Sequence, residues 1–125
     1  MIKVVIVSLF VSLGVLTPFV ANNAFAADER GRYWTYGVGK KTCKDYRQAR
    51  LQKEISDAVY KSWISGYITS SNRLTDDTYN LLGDNGLQAA LSWVDGYCEK
   101  HTENTLYMAV ANMTAVFYSH RKKTK

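Results

Sequence analysis

Soft metal ligands are scarce in this chain: only two cysteines and two histidines occur among its 125 residues. Cys43, Cys98, His101 and His120 match none of the usual paired Cys or His spacings of zinc sites, which argues against a structural metal. Also absent are G-x-S-x-G, H-E-x-x-H and a glycine-rich phosphate loop, and with them the common signatures of acyl transfer, zinc proteolysis and nucleotide binding. Proline appears once, at Pro18, so no proline interrupts the helical patterns beyond it. After residue 26 no run is apolar enough to cross a membrane. The side chains that could do chemistry have ordinary settings. His101 falls at the expected end of a helix, where a cation favours the dipole, and His120 sits in a basic stretch. Asp95, Glu99 and Glu103 follow helical spacing and read as a solvated face, since a small helical domain leaves little room for a sugar cleft between two carboxylates. Binding rather than catalysis is therefore the expectation, without cofactor or catalytic residue.

What is present begins with an address. Lys3 precedes a nearly unbroken apolar run from Val4 to Val15, followed by Pro18 and then Ala24-Phe25-Ala26. This is the order of a secretory signal peptide cleaved after Ala26. Export to the periplasm is expected, with no stable membrane anchoring after cleavage. The remaining 99 residues suffice for one core, and their 15 basic and 11 acidic residues give a net charge of +4. That charge is mild. Nucleic acid is not an expected partner, and the run Arg121-Lys122-Lys123-Thr124-Lys125 reads as a solvated, frayed end. In an oxidising compartment the even pair Cys43 and Cys98 is most simply read as a disulfide, with zinc as the poorer rival. Closing a loop of about 55 residues would stabilise the fold by about 4 kcal/mol in the chain-entropy picture.

The periodicity predicts an all-α domain, a small bundle of about four helices over residues 42–120, between an arm at 27–41 and the basic tail at 121–125. Thr42 with Asp45 three residues later reads as a capping box that starts a helix at Cys43 and carries it to about Leu51. Ile55, Val59, Trp63 and Tyr67 set the apolar face of a second helix ending near Ser70. Residues 71–84 read as a long loop pinned by Leu74, Tyr79, Leu81 and Leu82. A third helix, capped by Asp84 or Asn85, carries Leu87, Ala90, Leu91, Val94 and Cys98 on one stripe. A fourth, from about Asn104 to His120, repeats that logic with Leu106, Val110, Met113 and Phe117.

One internal echo stands out. Trp63-Ile64-Ser65-Gly66-Tyr67 and Trp93-Val94-Asp95-Gly96-Tyr97 are two copies of W-x-x-G-Y on two helices. A helical glycine costs about 1 kcal/mol relative to alanine, so a compensating contact is expected, with a Trp ring packed into the gap beside each glycine. In the arm, Tyr33, Trp34 and Tyr36 either lie on the helical core or form a recognition element.

Thr42-Cys43-Lys44-Asp45-Tyr46, and Tyr97-Cys98-Glu99-Lys100-His101 leading into Asn104-Thr105-Leu106-Tyr107, give the chain a likeness. It resembles the HdeA/HdeB group of periplasmic acid-stress chaperones, chiefly the HdeB side. The match covers the two cysteine ends and weakens between them, where this chain has a longer spacer and the W-x-x-G-Y element. The resemblance implies a Cys43–Cys98 bridge, an all-helical fold, dimerisation through an apolar face, and capture of partly unfolded clients once acid loosens the structure. Below about pH 3, with the carboxylates neutral, the exported chain would carry a charge of about +18. The alternative is a specific inhibitor or immunity protein against a periplasmic toxin or cell-wall hydrolase, since small disulfide-bonded domains of the Tai-type immunity group are similar in layout. Either way the expected partners are proteins. Expression in a bacterium should yield a periplasmic protein that begins at Ala27 and has no free thiol; mass spectrometry of the recovered chain checks both.

Overall fold

The computed structural model describes residues 27–28, 30–53 and 55–125, so the leader expected over residues 1–26 lies outside the described residues. The chain divides into two units, Met1–Tyr33 and Trp34–Lys125. In the first, Asp28 organises a short turn: its Oδ1 accepts from the backbone N–H groups of Arg30 and Arg32, while Arg32 Nε donates to Oδ2 at 2.8 Å. Among the described residues, the buried core and the disulfide lie in the second unit.

Thr42 starts the helical part as the sequence predicts. Its hydroxyl accepts from the Asp45 N–H, and the Asp45 carboxylate accepts from the Thr42 N–H, both at 3.2 Å. Among the described residues four α-helices follow: α1 (Cys43–Gln52), α2 (Ile55–Leu74), α3 (Gly86–Lys100) and α4 (Leu106–Phe117). Lys53, in left-handed backbone with φ 51°, stops α1. Thr105 caps α4 through a hydroxyl that accepts from the Met108 N–H. Helix α1 packs on α2 and α3, and α4 closes the other side against α3 and α2. A 3-10 turn, Gly37–Lys40, lies on α2 and α4.

Cys43 and Cys98 are bonded, with Cα atoms 4.8 Å apart and both residues fully buried. Backbone bonds reinforce the junction. The N–H groups of Cys43 and Lys44, unpaired within their own helix, donate to the carbonyls of Asn104 and Thr102, and the Leu106 N–H donates to that of Lys41. The two sequence ends that carry the likeness described above are thus one structural junction.

Helices α3 and α4 bury the expected stripes, Ala90, Leu91, Val94 and Cys98 facing Leu106, Val110, Met113 and Phe117; Leu87 is exposed. Helix α2 differs. Its buried line is Asp57, Tyr60, Ile64 and Ile68, displaced from the expected one, while Ile55 is 84% and Val59 48% exposed. An aspartate on the buried line disguises its period; Asp57 can be there only because cations reach it. The helix also runs a turn past Ser70, to Leu74, with the Ser71 hydroxyl donating to the Tyr67 carbonyl.

The loop after α2 is held by Leu81 and Leu82, which are buried, whereas Leu74 and Tyr79 are exposed. Its other support is the C-terminal segment, which is docked rather than frayed. Tyr79 and Asn80 donate N–H bonds to the Lys122 carbonyl, and Lys122 N–H returns one to Asn80. Lys122 pairs with Asp84 and Lys123 with Asp77. Gly83, at φ +61°, lies directly beneath the His120 backbone and has no space for a Cβ.

Glycine-gap packing exists, but not at Gly66 and Gly96. A Cβ added at either would meet nothing within 4 Å. The Trp63 indole instead fills the space over Gly39, where a Cβ would lie 2.7 Å from Cε2 and closer still to Cζ2. Its Nε1–H donates to the Tyr36 carbonyl at 3.0 Å. Gly39→Ala should therefore destabilise by about 2 kcal/mol through overpacking, whereas Gly66→Ala should be neutral or stabilising by up to about 1 kcal/mol. Urea unfolding of the two variants checks the contrast.

Candidate functional site

Three helices meet around one guanidinium. Arg50 of α1 holds Asp95 of α3 with two bonds, Nε to Oδ1 at 3.0 Å and Nη2 to Oδ2 at 2.8 Å, while its Nη1 reaches Asp57 Oδ1 of α2 at 3.1 Å. Lys61, one turn along α2, takes the second oxygen of Asp57 at 2.6 Å. The Tyr46 hydroxyl, on a fully buried ring, donates to Asp95 Oδ1 at 2.7 Å. Every carboxylate oxygen in the cluster is engaged. Helical pitch produces this geometry: Tyr46 and Arg50 are four apart on α1, Asp57 and Lys61 four apart on α2, so each pair shares a face.

Burial works to raise both carboxyls, but the donors outweigh it. Asp57 is held below the ordinary carboxylate value by Lys61 and Arg50, and Asp95 by Arg50 and Tyr46. Burial and then the Asp95 carboxylate push the Tyr46 phenol up, so it stays a donor. Hydrogen bonding to Asp95 likewise raises Arg50. The nearby Asp45 adds a negative field on Tyr60, whose pKa burial already raises.

Above this cluster a depression of about 550 Å³ opens between α1 and α3, bordered by Arg47, Lys53, Ser92 and Glu99. Gly96 lies on its rim. Sequence reading placed Asp95 on a solvated face and did not connect it with Arg50. The available signal was the pair of four-residue spacings, yet nothing local tells which cation an aspartate 45 positions away will meet.

The remaining expected residues are placed as follows. Both W-x-x-G-Y copies bring Trp against the Tyr four residues later: Trp63 tilted against Tyr67, with ring centres 5.7 Å apart, and Trp93 stacked on Tyr97, at 5.5 Å. Each Tyr then passes the contact toward α4. Tyr67 meets the edge of Tyr107, and the Tyr97 hydroxyl accepts from Asn104 Nδ2 at 2.8 Å. His101 continues the second stack on Tyr97, and His120 lies near Phe117. Trp34 and Tyr36 do not lie on the core; they are 77% and 78% exposed. Tyr33, in the other unit, is also more exposed than buried. Among the described residues no group of three or more His, Cys, Asp or Glu could hold a metal ion, and no helix is long and apolar enough to cross a membrane.

No family model, curated protein or solved structure matches the chain.

The cluster gives stability a defined acid dependence. With both folded carboxyls below their unfolded values, its contribution is complete above about pH 4 and is lost as pH falls through the folded values. Arg50→Met, which leaves Asp95 with no cation and Asp57 with Lys61 alone, should cost about 2 kcal/mol at pH 7, less than a fully buried pair because Asp95 is partly exposed. The deficit should shrink steadily toward pH 2, where the wild-type carboxyls are protonated too; urea midpoints across that range check it.

Proposed function

We propose that this is a periplasmic, acid-responsive protein-binding module of the HdeA/HdeB kind, which captures partly unfolded clients rather than catalysing a reaction. The observation that carries the reading is the sharing of one guanidinium by Asp57 and Asp95 across α1, α2 and α3. Helix α1 is fixed to α3 twice, covalently at Cys43 and ionically at Arg50, about 10 Å further along the helix. Acid discharges the second attachment and leaves the first intact. The N-terminal half of α2, tied to α1 through Asp57, then separates and uncovers Tyr46, Ala49 and Tyr60.

Apolar surface already stands at that end. Leu51 is 82% exposed and, with the exposed Ile55 and Val59, flanks the ionic cluster. Opening would enlarge this surface while the disulfide limits expansion and the rising positive charge keeps the complex soluble. The saturation of Asp57 and Asp95, and a Tyr46 phenol held protonated, support binding over acid–base chemistry. The resemblance at the two cysteine ends points the same way.

The test uses residues 27–125 with the bridge formed, which include every buried core residue among the described ones. Wild type should suppress aggregation of an acid-labile client at pH 2 to 4 and not at pH 7. Asp57→Asn/Asp95→Asn, lacking the carboxylates, should begin to suppress it at least one pH unit higher. Light scattering that shows no protection by wild type at any acid pH rules the reading out, and tight binding of one partner at neutral pH replaces it with the inhibitor or immunity alternative.

A further inference from the structure

The aromatic arm is a separate feature, since Trp34 and Tyr36 are exposed while the ionic cluster is closed. Both rings are more than three-quarters exposed although the backbone at Tyr36 is held. Tyr36, in extended conformation at φ −95° and ψ 159°, gives its carbonyl to the Trp63 indole, and the following turn rests on α2 and α4 with Trp63 pressed over Gly39. Two large rings two residues apart are thus presented to solvent, the second from a fixed base.

Within their own unit the residues that follow them carry excess positive charge. From Trp34 to Asp45 the sequence holds three basic residues, Lys40, Lys41 and Lys44, and one acid, Asp45, which is engaged in the cap on Thr42. Lys40, Lys41 and Lys44 are exposed and make no ion pair among the described residues. Trp and Tyr rings beside Lys and Arg are the composition that settles at the headgroup level of a bilayer: the rings partition into the interface, and the cations are drawn to anionic lipid. A protein hot spot, in contrast, is enclosed by a surround that excludes water.

We infer that Trp34, Tyr36, Lys40 and Lys41 form a docking surface for an anionic lipid bilayer, with the two rings at headgroup depth and the ammonium groups over lipid phosphates. The contact is peripheral and reversible. No long aliphatic side chain joins the rings, and the electrostatic part weakens with salt.

Flotation of residues 27–125 with vesicles tests this. Wild type should bind vesicles containing about one-third phosphatidylglycerol at least tenfold more tightly than pure phosphatidylcholine, given about fivefold per basic residue near such a surface. Trp34→Ser/Tyr36→Ser keeps every charge and should weaken binding to the anionic vesicles severalfold, and Lys40→Gln/Lys41→Gln should weaken it by about 25-fold. Circular dichroism should show all variants folded, because the altered side chains are exposed. Wild-type binding at the level of the ring-less variant reduces the effect to net charge and overturns the inference. So does failure of wild type to bind, or Trp34-dependent capture of a single protein by a chain that ignores vesicles.

Discussion

The junction at Cys43 governs the architecture. A covalent bond there fixes the first residue of α1 to the last turn of α3, and the free N–H groups of α1 take carbonyls from the α3–α4 connection. Three helices are thereby referenced to one point. Helix α2 has no bond at this junction; its position follows from the turn at Lys53, from its own buried line, and from the cations that satisfy Asp57. A domain of this size has a limited core, so a cross-link that restricts the unfolded chain supplies what further burial cannot.

The two attachments between α1 and α3 differ in kind. The disulfide is indifferent to pH, whereas the Arg50 cluster depends on two carboxylates remaining charged. Placing both on one helix pair gives that pair a permanent end and a conditional one. A bundle held only by apolar packing would lack that distinction, because burial of Leu, Ile and Val does not respond to protons. The polar cluster is also what orders the interface between α1, α2 and α3, since each of its oxygens has a donor and any shift in helix register would leave one of them bare.

Much of the fold was legible because its cues are local. The capping box at Thr42, the stripes of α3 and α4 and the even cysteine pair rest on neighbours within a few residues, or on compartment chemistry. What escaped the sequence depended on distant partners. The buried line of α2 was displaced because Asp57 interrupts its apolar period, and only the folded chain reveals that Arg50 and Lys61 make that burial tolerable. The glycine argument had the right physics at the wrong place: a Trp ring does fill a glycine gap, but Gly39 approaches Trp63 from outside the helix. For Gly66 and Gly96 the structure offers no contact that requires a glycine. The C-terminal cations looked solvated because their acidic partners, Asp77 and Asp84, belong to a loop about forty residues earlier.

That last pairing imposes an order on biosynthesis. The segment linking α2 to α3 takes its backbone partners from Lys122, which a ribosome adds roughly forty residues after Asn80, or several seconds later at ordinary elongation rates. Until then the N–H groups of Tyr79 and Asn80 must stay hydrated. Completion of the native topology therefore waits for residues synthesised after both α3 and α4, and the segment between α2 and α3 is among the last parts of the domain to find its partners.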